Sequence, residues 1–230
     1  MHGLFRSAME LEPPASMFHG LGCEVWLAEL RNHGGSGRAP FTGGLRESED
    51  VLAVVRAARD SAPGAPLVLF GVSFGAAAAS LAAPRAEGLS ALVLDAPMAD
   101  FRAAAGRMLS FGREGDGRSL FRVVDPWKAT ALWALERWSS FDAAAVRPID
   151  SLRALPAGLP ALVIAGGKDD RMPVDVVRRV YEALPMPEGT KEFWLEPSAG
   201  HGKVWTAAPL AYERRLAALL DRLPRRDRKR

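Results

Sequence analysis

A chain of 230 residues, 48% hydrophobic and 25% charged, has the balance of a soluble globular protein and enough length to bury a substantial core, which excludes a disordered polymer. The formal net charge is only +3, and much of the basic excess sits in the closing RLPRRDRKR, where no aromatic side chains interleave to stack bases; residues 224–230 therefore read as a solvated tail rather than a nucleic-acid surface. The single cysteine, Cys23, excludes an intramolecular disulfide, and no apolar run reaches the roughly 20 residues of a membrane-spanning helix.

In chain order, EVWLAEL (24–30), PLVLFG (66–71), ALVLDAP (91–97), PALVIAGG (160–167) and KEFWLEP (191–197) are short, apolar or β-favouring runs, and most are closed by Gly, Pro or Asp. They predict buried parallel strands. Cys23, at the start of the first run, reads as a small buried hydrophobe. Between the runs lie helical patterns. SEDVLAVVRAARDSA (48–62) carries Val51, Leu52, Val54, Val55 and Ala58 on one face, with Ser48 as the expected N-cap. FGAAAASLAAPRA (74–86) is rich in alanine and suited to close packing on a sheet, and PVDVVRRVYEALP (173–185) and PLAYERRLAALLDRL (209–223) follow at helical spacing. Strand and helix alternating with short connections predicts an α/β fold, a mostly parallel sheet with helices on both faces, formed by residues 1–230 as one domain. Residues 101–141 break the rhythm and predict a helical insertion. Its Met108, Phe111, Phe121, Trp127, Trp133 and Trp138 either line an apolar pocket or form a small core of their own.

Gly71-Val72-Ser73-Phe74-Gly75 is a G-x-S-x-G sequence between a predicted strand and a predicted helix, the setting of a nucleophile elbow. A serine on so tight a turn projects its hydroxyl above the sheet, and side chains two residues away on either side would collide with neighbouring backbone. The hydroxyl needs a base, and the base needs an acid to orient it. Ligands in such sheets bind beyond the carboxyl ends of the strands, where KDDRMP offers Asp169 and Asp170 and SAGHGK offers His201. His33, in RNHG, reads as a residue that packs or hydrogen-bonds in its own loop, and no His, Cys, Asp or Glu cluster has metal-ligand spacing.

With Ser73, Asp169 and His201 in that order, the chain resembles serine hydrolases of the α/β-hydrolase fold over nearly its whole length, most closely bacterial esterase and peptidase-like members. LRNHGGSG, GGKDDRMP and AGHG resemble the family's fourth-strand, acid and histidine loops. The resemblance selects Asp169 over Asp170. It implies a Ser73–His201–Asp169 triad, an acyl-enzyme intermediate, no cofactor or metal, and a small-molecule acyl substrate with water as acceptor. The same nucleophile also serves acyltransferases, thioesterases and peptidases, and a binding protein or nonfunctional remnant on this fold stays a separate alternative. The His2–Gly3 pair resembles the family's HG at the end of its third strand, which implies the N–H groups of Leu4 and Phe74 as the oxyanion hole. By the same resemblance the third strand precedes His2, so the natural start is expected upstream of Met1, with an in-frame apolar segment ending at this HG. The visible chain carries no signal peptide and is expected in the cytoplasm, with a signal or anchor possible only in such an upstream segment.

Overall fold

The computed structural model describes residues 1–108, 125–139 and 141–224. Four of the five apolar runs become strands: β1 (Leu67–Val72), β2 (Leu89–Asp95), β3 (Ala161–Gly166) and β4 (Lys191–Glu196). They pair in the order β1-β2-β3-β4, all parallel, so their carboxyl ends lie along one edge. Every residue of β3 is buried, as its unbroken apolar run ALVIAG requires of a strand covered on both faces.

One face of the sheet carries α2 (Glu47–Ser61), α3 (Phe74–Ala82), α6 (Pro148–Leu152) and α7 (Val174–Ala183). Ala76 through Ala79 in α3 are all fully buried, because methyl side chains let the helix backbone approach β1 closely. The opposite face is covered by α1 (Glu12–Gly20), α8 (Val204–Ala207) and α9 (Pro209–Leu220), where Phe18, Trp205, Tyr212 and Leu216 pack on Val93, Ile164 and Trp194. Leu210, at the start of α9, is 68% exposed and lies off this face. Helix α2 begins at Glu47, one residue before the expected Ser48 cap. The buried Glu47 carboxylate organises the turn instead, accepting the Thr42 N–H at 3.1 Å, the Thr42 hydroxyl at 2.7 Å and the Gly44 N–H at 2.9 Å.

Two expectations change. Residues 24–30 run without helical or strand pairing, and Trp26 and Leu27 are 44% and 43% exposed. Side chains hold this backbone instead: the Leu30 N–H donates to His2 Nε2 at 3.2 Å, and the Ser36 hydroxyl donates to the Glu29 carbonyl at 2.8 Å. A strand exists only against a neighbour, and here a groove of about 830 Å³ separates the segment from β1. Cys23 lines that groove half-buried, its thiol pushed up by burial. The insertion contains α4 (Phe101–Met108) and α5 (Asp125–Ser139), but Trp133 and Trp138 are 63% and 91% exposed and belong to no core cluster among the described residues. The aromatic packing is made by Phe101 with Phe41 and Phe141, at ring distances of 5.8 and 5.6 Å. Phe111, Phe121, and the side chains of Met108 and Trp127, lie outside the described residues, as do residues 225–230 of the basic tail.

Candidate active site

β1 ends at Val72 and α3 begins at Phe74, which leaves Ser73 alone to turn the chain, at φ 53° and ψ −115°. Such a conformation costs a residue with a Cβ roughly 1–3 kcal/mol. It is held by the Ser73 N–H donating to the Asp95 carbonyl at 2.8 Å and by the Ala77 N–H donating to the Ser73 carbonyl at 3.1 Å. The two glycines are demanded by backbone. A Cβ on Gly71 would lie 2.5 Å from the Gly75 carbonyl oxygen, and one on Gly75 would lie 2.3 Å from the Met1 carbonyl oxygen.

The loops after β3 and β4 bring Asp169 and His201 to this turn. His201 Nε2 lies 2.8 Å from Ser73 Oγ, and His201 Nδ1 lies 2.8 Å from Asp169 Oδ2. The Asp169 side chain is fully buried, and its Oδ1 accepts the N–H groups of Arg171 and Met172 at 2.9 Å each. A carboxylate so placed accepts only, so the imidazole proton sits on Nδ1 and the Nε2 lone pair faces the serine hydroxyl. Asp170 lines the cavity wall and makes no bond to His201.

Ser73 and His201 open into a cavity of about 510 Å³. Leu4, Phe74, Met98, Phe101 and Met172 give it an apolar lining, and Arg6, Lys168, Arg171 and Lys203 outnumber Glu10 and Asp170 at its polar positions. Leu4 and Phe74, the two residues expected to donate N–H groups, flank Ser73 in this lining, and among the described residues neither N–H is paired with a protein acceptor.

The loop bearing Leu4 is braced by side chains whose part in it the sequence did not reveal. Glu10 Oε2 accepts the Gly3 N–H at 3.0 Å, and His33 Nε2 accepts the Phe5 N–H at 3.1 Å, with Phe5 itself at φ 58°. His33 Nδ1 lies 2.8 Å from the Arg31 carbonyl, which puts its proton there and leaves Nε2 free to accept. Arg31 is clamped by Asp50 through Nε at 2.8 Å and Nη2 at 2.6 Å. His33 thus reaches beyond its own loop, and RNHG was the only signal it gave. His2 packs beside it with ring centroids 4.8 Å apart, and burial lowers its pKa, which favours the neutral ring that accepts from Leu30.

A second unforeseen group lies beneath the turn. Asp95 is fully buried; its Oδ2 accepts the Tyr212 hydroxyl at 3.0 Å, while Oδ1 has no partner among the described residues. Burial raises its pKa to about 7. The only sequence signal was an acid at the end of an otherwise apolar run.

A parallel sheet with helices on both faces, a strained serine between strand and helix, and partners arriving from later strand exits define a protein of the α/β-hydrolase fold. The chain belongs to the alpha/beta hydrolase family, whose model matches residues 1–219. Among solved structures it is similar to the esterase Pf2001 of Pyrococcus furiosus, at TM-score 0.74 and 21% identity over 97% of this chain and 81% of that one. It is also similar to a monoacylglycerol lipase of Paleococcus ferrophilus, at TM-score 0.64 and 19% identity over 96% of this chain and 92% of that one. Among curated proteins it is 29% identical over 188 residues to an uncharacterised protein of Mycobacterium tuberculosis H37Rv. The match covers 81% of this chain and 56% of that protein, so the chain spans little more than half the relative's length. Among the described residues no helix is long and apolar enough to cross a membrane.

Proposed function

We propose that the protein hydrolyses a carboxylic ester or related acyl bond of a small molecule through a covalent acyl-enzyme. The observation that carries this reading is that the His201 ring bridges Ser73 Oγ through Nε2 and Asp169 Oδ2 through Nδ1, each contact 2.8 Å long. His201 takes the serine proton as Oγ attacks the carbonyl carbon, and buried Asp169 stabilises the imidazolium that forms. The Leu4 and Phe74 N–H groups receive the carbonyl oxygen as it becomes an oxyanion. The imidazolium then protonates the departing alkoxide, and water, deprotonated by the same ring, releases the acid and restores Ser73. No cofactor enters this cycle.

The apolar lining favours an uncharged acyl group, and its volume of about 510 Å³ is within the range of roughly 300–1,000 Å³ usual for small-molecule sites. The insertion shapes the acyl pocket through Phe101 and Ala104, both in α4. The test is turnover of a short p-nitrophenyl ester together with labelling by a fluorophosphonate. Ser73→Ala is expected to lose both, with rates down at least about 1,000-fold and the circular dichroism unchanged. Undiminished turnover in that variant would overturn the assignment.

A further inference from the structure

The wall of the cavity around Ser73 divides by the layer its residues come from. Met98, Phe101 and Ala104 belong to the core on the α2, α3, α6 and α7 side and carry no charge. The charged residues come from loops instead: Arg6 and Glu10 from the stretch leading into α1, Lys168, Asp170 and Arg171 from the loop after β3, and Lys203 from the loop after β4, directly before α8. These charges do not cancel. Glu10 is engaged with Arg6 at 3.6 Å and with the Gly3 N–H at 3.0 Å, and Asp170 and Arg171 are neighbours of opposite sign. Lys168 and Lys203 remain, both exposed and without an ion-pair partner among the described residues.

Backbone bonds fix where these two ammonium groups stand relative to the reaction. Lys168 adjoins Asp169, and its N–H donates to the Ala199 carbonyl at 2.8 Å; Lys203 lies two residues past His201, and its N–H donates to the Gly200 carbonyl at 3.2 Å. Both lysines are therefore tied to the loop that carries the base. The imidazolium must hand its proton to the departing oxygen, so the leaving group lies on the His201 side of Ser73. The apolar part of the wall is left to the acyl group, and the lysines stand where the leaving group is.

We propose that the substrate's leaving group is an alcohol bearing a phosphate, received by Lys168 and Lys203. This rests on the hydrolase reading above and names its substrate class. Two uncompensated ammonium groups match the charge of about −1.5 to −2 on a phosphate monoester near pH 7. A carboxylate would leave one of them unmatched. Lysine serves phosphate as a point charge, whereas two-pronged recognition of a carboxylate favours the guanidinium fork of arginine. The chemistry is unchanged: the bond between the acyl carbon and the alcohol oxygen breaks, the imidazolium proton goes to that oxygen, and water supplies the hydroxyl of the released acid. The phosphate takes no part in these steps and leaves on the alcohol.

The experiment measures butyrate release from three esters that differ in the leaving group: 1-butyrylglycerol, 3-butyrylglycerate and 1-butyrylglycerol 3-phosphate. At low salt the phosphate ester is expected to exceed the neutral one about tenfold in kcat/KM, chiefly through KM, with the carboxylate ester between them. Salt at about 0.5 M should shrink that advantage to about twofold, a readout that needs no variant. Joint replacement, Lys168→Gln with Lys203→Gln, is expected to remove the preference, and Lys168→Arg with Lys203→Arg to keep it. Taking the ratio of the two esters within each variant cancels any general loss of activity. Equal kcat/KM for the phosphate and neutral esters in the wild type overturns the proposal. So does a preference that survives the double glutamine variant, or a carboxylate ester favoured over the phosphate ester. If none of the three is hydrolysed, the hydrolase reading is what fails, and calorimetry with glycerol 3-phosphate then decides the lysine site by itself. Binding that weakens about tenfold in the double glutamine variant supports the site, and absent or unchanged binding overturns it.

Discussion

Two regions of the same sheet are built to opposite standards. At the carboxyl edge, three loops converge on Ser73, and the groups that converge there are bonded: Asp169 accepts from two N–H groups and meets the histidine, and Ser73 is tied to Asp95 and Ala77. Along the side of β1 away from β2, three and five residues before Ser73, Phe70 and Val68 line an apolar groove. The comparison separates what a reacting site needs from what a sheet needs. A site is made by a few side chains at strand exits, whereas a sheet is made by backbone pairing between neighbouring strands.

The largest expected effect tests the well-bonded corner. Asp169→Asn keeps the shape of the side chain but removes the acceptor that holds the imidazole proton on Nδ1, so kcat is expected to fall by about 10,000-fold with little change in melting temperature. A loss below tenfold would mean that the carboxylate does not orient His201.

Gly75→Ala strikes where the two regions touch, because the new methyl would meet the Met1 carbonyl at 2.3 Å and displace the one strand-like residue beside β1. Thermal unfolding is expected to show a loss of about 3 kcal/mol or more. Wild-type stability would show that the amino-terminal residue yields freely.

Asp95 provides the pH test. Its pKa is raised from the ordinary 3.8 to about 7, so between those values the folded chain holds a proton that the unfolded chain has released. Stability from this group therefore declines as pH rises from about 4 to about 7 and is level above. Asp95→Asn keeps an acceptor for Tyr212 and removes the decline, so unfolding free energies from urea titration should match wild type near pH 4 and exceed it near pH 8, by about 2–4 kcal/mol. Equal midpoints at both pH values would show that the buried carboxyl is not under strain.

The smallest effect sharpens the link between the regions. His33→Phe removes the acceptor of the Phe5 N–H, while His33→Gln can supply another. We expect kcat to drop about tenfold in the first variant with KM nearly constant, and to recover partly in the second. A change confined to KM would place His33 in substrate binding instead of in the bracing of the Leu4 loop.

Much of the fold is legible because its signals are local. The runs 66–71, 91–97 and 160–167 are apolar, short and closed by residues that end strands, and they become β1, β2 and β3 within a residue or two. G-x-S-x-G is legible because only glycine fits backbone oxygens at 2.3 and 2.5 Å. Residues 24–30 show the limit: EVWLAEL has strand composition, yet its state depends on a neighbour that composition does not contain. Trp133 and Trp138 show another, since hydrophobic residues in an insertion reveal nothing about which side of α5 meets the body.

By itself the amino-acid sequence determined the alternation of strands and helices, the sharp turn at Ser73, and the candidate base and acid at later strand exits, because sterics and apolar burial act over a few neighbouring residues. Only the tertiary structure decided that His33 reaches Phe5, that Asp95 lies buried under the turn with one oxygen bonded to Tyr212, and that a groove runs beside β1. Those outcomes depend on groups brought together from distant parts of the chain, where desolvation and hydrogen-bond pairing take their values from whatever lies across the gap.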